Sequence, residues 1–489
     1  MDGVPMETTT VVADAAGNEG ELRAGAVHVV GVIMQNIANI APAIAALFTV
    51  QSIVGYAGVT APLAYLLAFF VTLCSGIVLA ELAHKLPSAG SYFTYLSRTL
   101  HPYVGFLATW LYFFAFPLVG AQAGDAMGAT VHDVLKAEYG WNFPWWAFLL
   151  IALAVTTIAC LPGVTVGIRT LFILSMFEFA VVLALAISGL FSPGPGGFSF
   201  GGFNPGNTPH LSTFYLGITF AIFALTGWDA AAPMAEETAN PRATVGRGVI
   251  LSIIIMGIFL VVCAWGLSVG WGIHHTTSFV NASDNPGFII AKRVWGSGWI
   301  IVLIALINST VAVLISSMNA STRMWFRMAR VGALPSYLGE VHPRWQTPAN
   351  AIWTQTALSV VLGLLLAVAW GVENVFSVLG FLFIFAVIPA WVLANLGVYR
   401  LYRREHPNEF SPLKHVVVPI VSTVGLVWVG YKSIWPLPPY PNSWAAPLVG
   451  IWLVIGIVIL VYIHSRGKGQ EFMERAGRAV DESTPVTSG

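Results

Sequence analysis

The chain has 489 residues, of which 57% are hydrophobic and only 9% charged, with 22 basic and 22 acidic residues giving a formal net charge of zero. A water-soluble surface needs roughly a quarter of the residues charged, so a soluble globular protein is excluded and the outer face is expected to meet the lipid bilayer. Zero net charge gives no basic surface for a nucleic acid. Cys74, Cys160 and Cys263 all sit inside apolar runs, so neither a disulfide frame nor a metal site is expected.

Residues 1–24 form a polar, acidic N-terminal tail with Glu7, Asp14, Glu19 and Glu21. The tail lacks the basic start and small-residue cleavage site of a signal peptide, so the first apolar run is expected to remain as a span. Runs near or above the roughly 20 residues that cross a bilayer fall at 26–50, 59–84, 103–130, 144–162, 168–191 and 213–236, then at 246–271, 296–326, 349–369, 373–400, 415–435 and 445–464. In lipid the backbone must satisfy its own hydrogen bonds, so such runs are helices. The fold class is therefore an all-α polytopic membrane protein with about twelve transmembrane helices.

With the N-terminus inside, 18 lysines and arginines lie on one side and 4 on the other. This asymmetry predicts a multi-pass protein of the plasma (inner) membrane with both termini cytoplasmic, the second tail being 465–489. Trp141, Trp145, Trp146, Trp271, Trp370, Trp435 and Trp444 fall at the predicted outer ends, as an interfacial aromatic belt does.

Two spans should be broken. The first carries Gln35, Asn36 and Asn39, which are costly at membrane depth, and Pro42, which removes a backbone donor and clashes with the preceding turn. The sixth reads Ala224-Leu225-Thr226-Gly227-Trp228-Asp229, followed by Pro233 and Glu236-Glu237. Two interruptions five spans apart point to an inverted repeat with broken helices around a midplane site. The amphipathic segment after the second span, 86–100, has its counterpart after the seventh, 273–293, on the opposite side. Open backbone amides at such a break suit a carboxylate and open carbonyls suit an ammonium, which favours an amino acid or a related small amine as substrate.

These stretches also resemble the amino acid–polyamine–organocation permeases. The sixth-span signature stands as Phe223 to Asp229, then Glu236-Glu237-Thr238 and Asn240-Pro241-Arg242. A second signature stands at Ala80-Glu81 and Pro87 to Tyr92, and a third at Asn319 to Arg323, Met328 to Arg330, Gly332, Leu334-Pro335, His342-Pro343 and Thr347-Pro348. Membership implies a five-plus-five inverted repeat with two extra C-terminal helices and alternating access. Within the transporter domain, 25–464, repeat one then covers about 25–191, repeat two about 213–402, and helices 11 and 12 about 415–464. It also implies substrate contacts from the two breaks: Ala38, Asn39, Ile40, Ala41, Pro42 and Ala43, and Ala224, Leu225, Thr226, Gly227 and Trp228. Many members have a Gly-rich first break; here Asn39-Ile-Ala-Pro42 is closer to a subset with Ala-Pro-Ala.

Glu178 lies mid-span in a region resembling that where several proton-coupled relatives place a lysine in the role of a sodium ion. A buried carboxylate there is a candidate proton carrier. Asp229 is a second coupling or gating candidate, either attracting a substrate ammonium or, as favoured here, making a structural bond. Trp228 is a candidate lid over the substrate. No cofactor is expected, and a proton ahead of sodium as coupling ion. Without a metal cluster, nucleophile elbow or phosphate loop, an enzyme is not expected. The expected function is secondary active transport of an amino acid, with ethanolamine or a polyamine as the alternative and sodium coupling or exchange as alternative modes.

Overall fold

The computed structural model describes residue 22, residues 25–282, residues 284–465 and residue 476, with the backbone alone for 164–167 and 212. Most of the two expected tails lies outside the described residues. Among the described residues most of the chain is helical, and the one β-bridge pairs Val27 with Thr238.

The first helix, α1 (Val29–Ile40), stops at Ala41, and α2 (Pro42–Ile44) restarts the path. A π-helical turn, Ala45–Thr49, carries it into α3 (Val50–Ala57). At Gly58 (φ +57°) the chain reverses into α4 (Ala61–Lys85), and the Tyr65 hydroxyl donates to the Ala45 carbonyl at 3.1 Å. Next come α5 (Tyr92–Thr99), α6 (Pro102–Tyr139), α7 (Trp145–Cys160), α8 (Val164–Phe191) and α9 (Leu211–Ala224). An irregular stretch and a 3-10 turn, Ala232–Glu237, lead to α10 (Pro241–Trp271). The remaining helices are α11 (Thr276–Val280), α12 (Pro286–Trp295), α13 (Ile300–Arg330), α14 (Ala349–Trp370), α15 (Val372–Arg404), α16 (Val418–Ile434) and α17 (Ala445–Ser465).

Among the described residues, nine helical stretches are long and apolar enough to cross a membrane. One of them, Val29–Lys85, has 57 residues. At 1.5 Å per residue that is far longer than the roughly 30 Å hydrocarbon layer, and its reversal at Gly58 divides it. Trp145–Cys160 and Thr213–Ala224 are shorter apolar helices. The chain is therefore a polytopic membrane protein.

Helix ends differ from the hydropathy reading where polar turns continue a helix. α6 runs to Tyr139 rather than ending near 130, because Asp133, Lys136 and Glu138 extend it in water-facing register. The sixth predicted span, 213–236, is helical only to Ala224 before its break. The segments at 86–100 and 273–293 both contain short helices, α5 and the pair α11 and α12.

Close helix crossings are made by small residues, as expected in lipid, where van der Waals packing and not water exclusion drives association. Where α8 meets α10, Gly189 and Gly266 pack backbone to backbone, and a Cβ on Gly266 would lie 2.3 Å from the Ala186 carbonyl oxygen. Since neither helix backbone can give locally, Gly266→Val should destabilise the purified protein by about 1–3 kcal/mol. A thermal melt in detergent compared with the parent chain checks this.

Candidate transport site

The polar residues of α1 are costly in lipid only if unpaired, and the fold pairs each of them. Gln35 Nε2 donates to the Ser316 carbonyl at 2.8 Å, and the Ser316 hydroxyl returns a bond to the Gln35 carbonyl at 2.7 Å. Asn39 Nδ2 reaches Ser317 Oγ at 3.1 Å. Asn36 bridges three elements: its Nδ2 donates to Ser252 Oγ at 3.1 Å, and its Oδ1 accepts from the Ala231 amide at 2.8 Å. Ser316 and Ser317, on a small polar face of α13, are thus the counter-surface for α1.

At the first break Ala41 adopts φ +57° and ψ +76°, a left-handed conformation rare for a side-chain-bearing residue. Pro42 has no N–H to return to the Ala38 carbonyl. The Ala43 amide donates to Glu178 Oε2 at 3.3 Å, and the Ile44 amide to Ser309 Oγ at 3.4 Å. The amides expected to wait for a ligand here are therefore taken by the protein. What the break leaves open is the carbonyl end of α1. Glu178 is fully buried at the amino end of α2, where the helix dipole is positive. Its Oε1 has no partner among the described residues.

At the second break α9 ends in Leu225 and Thr226 turns, and Gly227 takes φ +103°. A Cβ at that position would lie 2.8 Å from the Asn39 carbonyl carbon, so glycine is required twice over, by conformation and by the closeness of the two breaks. The Gly227 and Trp228 amides find no acceptor among the described residues. Both signs of backbone charge are accordingly available, carbonyls on one break and amides on the other.

A cavity of about 50 Å³ lies between the breaks. Of the residues expected at the site, Asn39, Ile40, Ala41, Ala224 and Thr226 line it. Ala38, Pro42, Ala43, Leu225 and Gly227 shape the surrounding backbone without lining it. Trp228 is 1% exposed and packs on Trp391 with ring centroids 5.2 Å apart, away from the lining. The lining residues beyond those expected at the site are Ile44, Ala45, Thr49, Val119, Gln122 and Ala123, with Phe223, Val313, Phe376 and Phe383. Gln122 carried a readable signal as a lone amide in an apolar run, whereas Phe376 and Phe383, two phenylalanines among 30, carry none.

Asp229 is bonded within the protein. Its Oδ2 accepts from the Tyr112 hydroxyl at 2.7 Å and from Trp391 Nε1 at 2.9 Å, which ties the second break to α6 and α15. At the arginine-bearing end the cavity is sealed. Arg323 and Glu237, both under 3% exposed, pair through two bonds, Nη2 to Oε1 measuring 3.2 Å. Glu236 Oε1 accepts from the Ala89 amide at 3.1 Å, and Arg242 Nη1 donates to the His84 and Lys85 carbonyls. Residues of all three sequence signatures meet in this seal. Among the described residues no cluster of metal-binding side chains occurs.

The sequence comparisons place the chain among membrane transporters. The pattern of the amino acid permease family matches residues 31–466. The chain belongs to that family, within the amino acid–polyamine–organocation superfamily. It is 25% identical to the low-affinity putrescine importer PlaP of Escherichia coli K12, over 82% of this chain and 85% of that one. It is also 25% identical to the branched-chain amino acid permease BcaP of Lactococcus lactis, over 84% of this chain and 89% of the relative. With the serine/threonine exchanger SteT of Bacillus subtilis it shares 23% identity, over 75% and 81% of the two chains.

Removing one partner of a buried ion pair strands the other charge, at a cost of about 3–5 kcal/mol. Glu237→Gln should therefore loosen the seal: in a cysteine-accessibility assay, a thiol placed at Thr226 becomes labelled from the arginine-bearing side several-fold faster than in the parent.

Proposed function

We propose that the protein is a proton-coupled secondary active transporter that takes up an apolar amino acid by alternating access. The observation that carries this reading is the cavity between the breaks. Its lining is mostly apolar, with Ile40, Val119, Val313, Phe223, Phe376 and Phe383 beside the polar Asn39, Thr49, Gln122 and Thr226, and backbone of both breaks runs along it. Open carbonyls at the end of α1 suit the ammonium of the substrate, and the Gly227 and Trp228 amides suit its carboxylate. Ala38 to Ala43 and Ala224 to Trp228 act in this scheme through their backbone. A diamine would bury two positive charges, and no carboxylate lines the cavity; burial of an unpaired charge is costly. The branched-chain permease relative agrees with an apolar substrate, and the putrescine relative makes a diamine the competitor to test.

In this reading the chain crosses the membrane twelve times. The division at Gly58 and the two shorter apolar helices, added to the nine longer stretches, supply that number. Spans one to five and six to ten form the inverted repeat, and α16 and α17 are the two added helices. The arginine-bearing end and both termini face the cytoplasm of the cell that holds the protein in its plasma membrane. Glu178 carries the coupling proton. An ionised carboxylate at this depth costs several kcal/mol; with Oε2 accepting from the Ala43 amide, Oε1 is the atom that takes the proton. A hard cation needs several converging oxygens, and an amide N–H aimed at the same carboxylate opposes one, so sodium fits less well.

Proteoliposomes test both parts. Uptake of labelled leucine, isoleucine or valine is expected under an inward pH gradient without sodium, with unlabelled apolar amino acids competing at least tenfold better than putrescine; putrescine-driven uptake with no competition by apolar amino acids overturns the substrate class. A pH gradient of one unit is worth about 1.4 kcal/mol per proton, or tenfold accumulation. Glu178→Gln is expected to retain substrate exchange at zero gradient while the accumulation supported by that gradient falls about tenfold, by one proton per cycle. Unaltered pH-driven accumulation in Glu178→Gln removes Glu178 from the coupling step.

A further inference from the structure

Three residues beyond Gln122, α6 carries a second carboxylate that the transport scheme above leaves unused. Asp125 is 0% exposed, and neither of its oxygens has a hydrogen-bond partner among the described residues. It sits in the seam where α6 meets α7 and α14. Gly124 lies against Leu149, and Gly128 lies so close to the Trp145 carbonyl that a Cβ there would stand 2.5 Å from it. On the other side Asp125 Oδ1 lies 3.1 Å from where a Cβ on Gly363 would stand. Glycines on both helices thus make room for the carboxyl group without supplying any polar atom to it.

The charged and titratable groups of every helix packed on α6 stand away from this point. α14 has none in its sequence, and α7 has only Cys160 at its far end. α15 has Glu373, exposed in its first turn, and then Tyr399, Arg400, Tyr402, Arg403 and Arg404 at the arginine-bearing end. α13 has Arg323, Arg327 and Arg330, α5 has Tyr92, Tyr95 and Arg98, and α17 has Tyr462 and His464, all at that same end. On α6 itself the group nearest in register is His132, seven residues on and so on the same face, about 10 Å further toward the tryptophan-bearing end. Its ring is half-buried and bonded through Nδ1 to the Phe143 carbonyl in the α6–α7 connection.

We propose that Asp125 is a second proton-binding site of this transporter, reached from the end opposite the arginines along the α6–α7 seam past His132. A carboxylate with no cation, no N–H and no hydroxyl against it is compatible with this packing only as the neutral acid. A hard cation needs several converging oxygens, and Leu149 and Gly363 have no side-chain oxygen to add while their carbonyls lie inside helices. Loss of the proton leaves a bare charge between α6 and its neighbours, so Asp125 deprotonates only when the seam opens to water. That ties its proton to movement of α6, the helix that carries Gln122 and Val119 on the cavity wall. The step moves one proton on and off Asp125 and breaks no other bond.

The proposal rests on the proton-driven reading above for its driving force, and two measurements separate the two. Infrared difference spectra of the reconstituted Glu178→Gln protein, in which the other mid-span carboxyl is gone, are expected to show a protonated-carboxyl C=O band. The band should change with external pH and with substrate, and it should be absent when Asp125→Asn is added. In transport, Asp125→Asn alone is expected to keep substrate exchange and to lower the accumulation supported by a one-unit pH gradient about tenfold, one proton fewer per cycle. A band that ignores pH and substrate, or unchanged proton-to-substrate stoichiometry in Asp125→Asn, overturns the proposal. The spectra decide it even where the variant reconstitutes poorly, because the Glu178→Gln protein retains Asp125. Failure of the parent protein to accumulate substrate on a pH gradient, with a pH-responsive Asp125 band present, instead removes the proton-driven reading and leaves the site standing.

Discussion

A backbone group inside lipid has no water to turn to, and the interruption at Ala41–Pro42 therefore has to be answered from elsewhere in the chain. Glu178 from α8 and Ser309 from α13 answer the amides of α2, while the carbonyl end of α1 stays open. Those two side chains fix where α8 and α13 cross the break, and α13 in turn aligns Ser316 and Ser317 with Gln35 and Asn39. The second break depends on the first, because Gly227 rests on Asn39 and the Ala231 amide on Asn36. Much of the central architecture thus follows from one missing proline N–H and one left-handed alanine.

The same logic separates parts of the sequence that could be read from parts that could not. Pro42 and Gly227 announce themselves locally, since each forbids or permits a particular backbone conformation whatever surrounds it. Gln35, Asn36 and Asn39 announce a need for partners without naming them. The partners lie more than 190 residues away, and only packing brings them in. Helix ends were misjudged where hydropathy stops but hydrogen bonding continues, as at Asp133 to Glu138. Phe376 and Phe383 look like any aromatic in an apolar helix until α15 is placed beside the cavity. Asp125 was visible as a charge in an apolar run, and only its dry surroundings distinguish it from a surface acid.

Glu178, Asp229 and Asp125 are three buried carboxylates in spans, and their surroundings differ in kind. Asp229 receives a phenol and an indole N–H on one oxygen and serves as a tie between helices. Glu178 receives one backbone amide and has one oxygen to spare. Asp125 receives nothing. Among the described residues the number of hydrogen bonds received thus falls from two to one to none.

The contact between Gly227 and Asn39 has a mechanical meaning. No room for even a methyl group separates the two breaks, and Asn36 stitches α1 to the far side of the second break and to α10. The tight contact is local to Gly227 and Asn39, and the cavity lies beside it, lined by Ile40 and Ala41 on one break and Ala224 and Thr226 on the other. In the transport cycle proposed above, spans one and six would then move as one body at this contact. The bonds that such a movement would exchange join side chains to neighbouring helices, Gln35 to Ser316 and Tyr112 to Asp229.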